Sequence, residues 1–270
     1  MDDLPAFDVL VHFFNNIDVL LLIFVRVLGF SVAVPFISSQ NIWMLGRLFL
    51  ALCVAVALFM SGTVSVVHYM DTTLGYVYLL ILEFLVGMAM GYVVFVVFNL
   101  IFFAGQLMDF QIGLMMVNVL DPMTQIQVPI TGNLFYFVLM AMLVATSGIH
   151  VLFGTFFYSY DLLPIGTAYL IGNSNIAWYI VHLLVQTTIM AVRLSMPIVG
   201  TMMIINVALG IMVKTVPQMN VFVVGLPLKL LVGITLFWMV MAPGADTIYW
   251  NIFDMAHNAM IEVIWGMRTQ

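Results

Sequence analysis

Few residues in this chain have types that could do chemistry, and their spacing argues against it. Ser147 and His150 are a nucleophile and a base three positions apart, whereas a hydrolase pair is normally brought together from separate elements. On one predicted helix, Ser147 would bond its own backbone instead. Asp161, after Tyr160, and Asp246 would supply an aspartyl dyad. Both fall at predicted segment ends beside Pro or Gly, where capping or interfacial solvation explains them better. His12, His68, His150, His182 and His257 show no metal-ligand spacing. No G-x-x-x-x-G-K-S/T loop is present to cradle a nucleotide phosphate. These residues point to no enzyme, no cofactor and no metal.

The polar residues that do gather lie in one stretch, Gly105 to Pro129. Gln106, Asp109, Gln111, Asn118, Asp121, Gln125 and Gln127 alternate there with Met108, Ile112, Leu114, Met115, Met116, Val117, Val119 and Leu120. Gly113 permits a sharp turn, and Pro122 and Pro129 stop a helix. A solvent loop would not carry so many large apolar side chains, and a lipid-facing helix would not carry Asp109 and Asp121. The stretch reads as an element buried at membrane depth in protein, or bordering a closed water path.

The elements around it are those of an all-α integral membrane protein. The chain has 270 residues, 65% hydrophobic and 7% charged, with a mean hydropathy of +1.21; soluble domains carry roughly 25% charged residues. The acidic start, Met1-Asp2-Asp3, is the wrong one for a signal peptide. The six Lys and Arg do not cluster and the net charge is −6, which argues against a nucleic-acid surface. Six long apolar segments are expected: about 17–34, 43–69 and 74–107, then 132–158, 177–213 and 219–241. Thr72 is placed to cap the third, Pro197 and Gly200 to bend the fifth, and Gly225 and Pro227 to break the sixth. Pro243-Gly244 is expected to end the sixth, leaving 246–270 as an amphipathic helix with Ile252, Met255, Ala259 and Val263 on its apolar side. Cys53, in an apolar run, reads as core.

Arg26, Glu83, Arg193 and Lys229 lie inside apolar segments and need partners or a wet cavity, while Arg47 and Lys214 sit at segment edges. Gly87 and Gly91 have the G-x-x-x-G spacing that lets another helix approach closely. Mutual pairing that fixes helix packing and a transport role are equal readings of the internal charges. Broken helices in both halves would suit a secondary transporter, and the central stretch a re-entrant channel constriction, but the halves show no internal repeat. Most of the 23 methionines fit gap-filling in a helical core. Met115, Met116 and Met123 would also make a deformable seal.

Two runs resemble signatures of a known family, the R component of the flagellar type III export gate (the FliR family). One is Val213 to Lys229, VKTVPQMNVFVVGLPLK, with its P-Q-x-N-V-F run from Pro217 to Phe222 and Gly225, Pro227 and Lys229 following. The other is GQLMDFQIGLMMVNVLDP, carried by Gly105, Gln111, Gly113, Leu114, Asp121 and Pro122. Pro35, Arg47 and Ala51 fit as well, and the resemblance covers essentially the whole chain. Injectisome counterparts share much of it; the V-G-L-P-L-K ending favours the flagellar branch. Lys214 departs from the pattern, which has Arg there; the charge is kept and the planar fork lost.

The resemblance implies a non-enzymatic subunit of the bacterial inner membrane, in the flagellar basal body. Its implied partners are the gate's P and Q subunits, the B subunit (the substrate-specificity switch protein), the A subunit, unfolded flagellar substrates and membrane lipid. It implies one export-gate domain over 1–270, with 1–172 like the P subunit and 173–270 like the Q-subunit hairpin plus a tail. Energy would come from the proton motive force and a separate ATPase. The loop from Gln106 to Pro122 would plug the path, hinged at Gly113 and sealed by Met115, Met116, Val117 and Val119, with Asp121-Pro122 re-anchoring the chain. Pro217 would break the last turn, with Gln218 and Asn220 bonding freed backbone near Phe222. Lys214 and Lys229 would neutralise carboxylates on neighbouring subunits, and Glu83 would meet a basic residue. Arg26, Arg47, Gly87, Gly91, Arg193 and Pro197 would serve subunit packing.

Overall fold

The computed structural model describes residues 16–38, 43–62, 64, 72–116, 129–168, 174–216, 218 and 220–268, with the side chains of 174, 175, 221 and 222 outside that description. Among the described residues the fold is all-α. The helices are α1 (Ile17–Ala33), α2 (Met44–Ser61), α3 (Thr73–Ile112), α4 (Ile130–Ala145), α5 (Gly148–Leu162), α6 (Ser174–Thr215) and α7 (Val221–Met267). Four of them, α2, α3, α6 and α7, are long and apolar enough to cross a membrane, or five spans if the broken pair α4 and α5 counts as one.

The helix ends follow from local chemistry. Thr72 caps α3 as its position suggests, its Oγ1 accepting the Gly75 N–H at 3.3 Å. α2 stops at Gly62 in the left-handed conformation, short of the expected end at Tyr69. The expected fourth helix is two: the chain breaks at Thr146 and Ser147, and Ser147 adopts φ 57°. Ser147 therefore shares no helix with His150. The expected stop at Pro243-Gly244 is absent, and α7 continues for 47 residues through Pro227 and Pro243. Where no water is available to take freed backbone groups, a helix carries a proline more cheaply than it ends.

Two compact units form. One comprises Met1–Phe95, His150–Leu183 and Ala256–Gln270; the other comprises Val96–Ile149 and Leu184–Met255. In the first unit, Leu82, Val86 and Met90 make a buried stripe at i, i+4 spacing on α3, and Leu152, Phe156 and Tyr160 make another on α5. Phe30 of α1 stacks on Phe156 with ring centroids 4.4 Å apart. The Gly87–Gly91 spacing serves the close approach of α1: a Cβ on Gly87 would fall on the Arg26 carbonyl oxygen, and one on Gly91 would lie 2.7 Å from that of Phe30. In the second unit, Met108 and Ile112 of α3 and Phe135 and Leu139 of α4 are buried. Ile198 and Met202, one turn apart on α6, are buried in the same unit. Cys53, expected in the core, is exposed on α2.

Candidate functional site

The first unit holds the buried charges. Arg26 and Glu83 are both fully buried, and Arg26 Nε lies 2.5 Å from Glu83 Oε2. The pair is bound to backbone on either side. Arg26 Nη1 donates to the Leu163 carbonyl at 3.1 Å, and Glu83 Oε1 accepts the Gly166 N–H at 3.0 Å. Gly166 has φ +86°, a conformation glycine takes without a Cβ penalty. The guanidinium also sits 4.4 Å from the Tyr160 ring centroid, and Tyr160 Oη donates to the Ile23 carbonyl at 3.3 Å. Thus α1, α3 and the turn after α5 are tied by one network. Glu83 meets its basic residue inside the chain. Arg47, half-buried at the start of α2, donates to the Ser38 carbonyl at 3.0 Å.

The second unit holds the two ends of the central stretch. α3 runs on to Ile112, and Gly113 then takes φ +93° with the Leu226 methyl 3.2 Å from where its Cβ would be. The chain returns at Pro129, which gives α4 no side-chain cap. Asp109, only 1% exposed, supplies the missing acceptor. Its Oδ1 lies 2.6 Å from Thr131 Oγ1, and its two oxygens lie 3.4 and 3.3 Å from the Thr131 N–H. A carboxylate at a helix N-terminus answers both the free N–H groups and the helix dipole. Thr131 Oγ1 also lies 3.1 Å from the Gly105 carbonyl, and no Cβ would fit between Gly105 and Gly132. Asn206 of α6 donates to Gln111 Oε1 at 3.4 Å, and Ile112 fills the space left by Gly233 of α7.

The sequence-predicted residues therefore separate. Asp109 is buried in the stem of the stretch, Gln111, Gly113, Leu114 and Met115 are half-buried, and Gln106 and Met116 are exposed. Val117, Val119, Asp121, Pro122, Met123, Gln125, Gln127 and Pro217 lie outside the described residues, as does the Phe222 side chain. Arg193, Pro197, Lys214, Gln218, Asn220 and Pro227 are exposed, Gly225 is buried and Lys229 is half-buried. Among the described residues, the ion pair within 4.0 Å is Arg26–Glu83; Arg193, Lys214 and Lys229 have no such partner. Sequence reasoning missed Thr131 and Gly132, although a hydroxyl and a glycine just after Pro129 are a helix-start signal. It also missed Tyr249, whose Oη lies 2.5 Å from Thr146 Oγ1 at the break before α5.

Residues 17–254 match the family described as bacterial export proteins, family 1. The chain is 31% identical to the flagellar biosynthetic protein FliR of Bacillus subtilis over 241 residues, covering 89% of this chain and 92% of that one. It is 24% identical to FliR of Escherichia coli, covering 88% and 91%. It is likewise 24% identical to the surface presentation of antigens protein SpaR of Shigella flexneri, covering 88% and 91%.

Proposed function

The chain belongs to the bacterial export proteins, family 1, and on that premise we propose that it is a structural subunit of a flagellar type III protein-export gate. In this reading it joins P and Q subunits in a helical core through which unfolded flagellar proteins pass, at the bacterial inner membrane in the flagellar basal body. Residues 1–172 play the part of a P subunit and 173–270 that of a Q-subunit hairpin. The B and A subunits dock on the assembled core. Residues 106–122 form the plug, and the chain catalyses no reaction itself.

One observation carries the reading. α3, α6 and α7 hold 40, 42 and 47 residues. At about 1.5 Å per residue that is twice the thickness of a bilayer's hydrocarbon core. Yet the most apolar windows of α6 and α7 are only 17% buried within the chain. Apolar helix surface that outruns the bilayer has to be covered by other protein, as a subunit of an assembly would have it. The stem described above suits a plug, because Asp109, Thr131, Gly105 and Gly132 hold the two ends of the stretch together.

Native mass spectrometry of the solubilised chain, expressed alone and with P and Q subunits, tests this. Recovery only in a defined hetero-oligomer is the expected result. A stable monomer or homodimer that binds a small solute would overturn the proposal in favour of a secondary transporter.

A further inference from the structure

α3 exposes a line rather than a broad face. Between Tyr78 and Phe102 its exposed side chains are Tyr78, Ile81, Leu85, Met88, Tyr92 and Phe95. Every other residue there is buried or half-buried, Gly87 and Gly91 against α1. The exposed positions alternate at intervals of three and four, the narrow seam of a helix that packs lengthwise along another. Carried on, the pattern reaches the half-buried Asn99 and Phe102 and the exposed Gln106, with Phe103 and Phe110 exposed beside it. At about 1.5 Å per residue the seam from Tyr78 to Gln106 is about 42 Å long, against about 30 Å of bilayer hydrocarbon.

The two rows of the seam differ in chemistry. One row, Ile81, Met88, Phe95 and Phe102, is apolar throughout. The other, Tyr78, Leu85, Tyr92, Asn99 and Gln106, ends in a hydroxyl or an amide everywhere except at Leu85. Among the described residues those four polar side chains make no hydrogen bond. The seam also carries no charge. Glu83 and Asp109, the charged residues of α3, are buried off the seam and bonded to Gly166 and Thr131.

We propose that this seam is the docking line of one long helix from another polypeptide, uncharged on the facing side and carrying a Ser, Thr, Asn or Gln about every seven residues. Acyl chains offer nothing to two phenol hydroxyls and two amides, whereas a partner helix with polar side chains hydrogen-bonds them. A charged partner face would find no counter-charge on the seam and would be desolvated unpaired. Asn99 and Gln106 stand one repeat apart and set the register, as single polar residues in an apolar seam do. The apolar row supplies the knobs that fit between the partner's side chains. The assignment rests on the pattern and polarity of α3 and stands without the export reading.

The test uses the full chain in its purified assembly, with p-benzoylphenylalanine placed singly at Tyr78, Tyr92 or Gln106 and the adducts read by mass spectrometry. Capture of one helix of one other polypeptide from all three positions is the expected result, its attachment points advancing along that helix in step with α3. Adducts with lipid alone, with a second copy of this chain or with another segment of it, or no adduct at all, overturn the assignment. Capture of a polypeptide foreign to any export apparatus keeps the seam and removes the export reading. Asn99→Leu and Gln106→Leu decide independently, by the sign of the effect. Each should weaken the partner's retention in detergent about threefold for each hydrogen bond lost, whereas on a lipid-facing helix loss of an amide is neutral or favourable. Unchanged or tighter retention in both variants overturns the assignment.

Discussion

Replacing Glu83 by alanine removes one partner of a pair whose other member has no access to water. Arg26 would keep the Leu163 carbonyl and the Tyr160 ring, but no counter-charge. Breaking a buried pair from one side costs about 3–5 kcal/mol. The Gly166 N–H would also lose its acceptor, adding about 1–3 kcal/mol for an orphaned buried donor. Glu83→Gln retains an oxygen for Gly166 but turns an amide N–H toward the Arg26 Nε–H, so it should lie between the parent and Glu83→Ala.

The double variant Arg26→Met/Glu83→Met discriminates between two accounts of the network. An isolated buried pair is often replaced by apolar residues at no cost. Here the double variant still abandons the Leu163 carbonyl and the Gly166 N–H, so it should remain destabilised by about 2–4 kcal/mol. It should nonetheless be more stable than Glu83→Ala, because no unpaired charge is left. The assay is denaturant unfolding of the full chain in its purified assembly, read as a double-mutant cycle. Parent-like stability of Glu83→Ala would refute the buried network outright. A double variant as stable as the parent would show that the backbone bonds contribute nothing.

Four further outcomes are expected. Gly87→Ala, whose Cβ would overlap the Arg26 carbonyl, should cost about 1–3 kcal/mol in the same assay; an unchanged midpoint would mean that α1 and α3 do not approach so closely. Ser147→Gly relieves the φ of 57° and should stabilise by about 1 kcal/mol; destabilisation would count against strain at the break. Asp109→Ala leaves Thr131 without its acceptor and should cost about 1–3 kcal/mol, while Asp109→Asn, which keeps an acceptor oxygen, should cost less; equal losses would show that geometry at the stem is not what matters. Gly113→Val, at φ +93°, should disturb the stretch it opens by about 1–3 kcal/mol of backbone strain; normal motility with an ion-tight membrane would remove Gly113 from the proposed hinge.

Class was legible because composition alone separates an apolar chain from a soluble one, and Thr72 was legible because its cap is local. Inside and outside were not. In an apolar protein the same side chains face core, lipid or a partner subunit, so hydropathy placed Cys53 in a core from which it is absent. Local breaker signals also misled. Pro243-Gly244 would stop a helix in water, yet α7 passes through it, while the break at Thr146–Ser147 is held by Tyr249 from far along the chain. Glu83's need of a cation followed from its surroundings, but the choice of Arg26 did not, because the turn at Leu163 to Gly166 that locks the pair comes much later in sequence.

What the buried polar groups bond to bears on the choice between scaffold and transporter. A substrate site keeps its charged groups facing a cavity. Here Arg26, apart from an Nη2 that makes no hydrogen bond, and Glu83 are taken up by each other and by backbone at the turn after α5, and Asp109 by the start of α4. Each answers a backbone group left open at a helix end or in the turn that follows it. The apolar cavity lined by Phe135, Leu139, Met142, Met241 and Tyr249 contains no acid or base to hold an ion. Of the cations without an ion-pair partner, Arg193 and Lys214 are exposed and Lys229 is half-buried. Interior polarity thus serves to hold the fold and exterior charge is left for the surroundings, an arrangement that suits a building block better than a carrier.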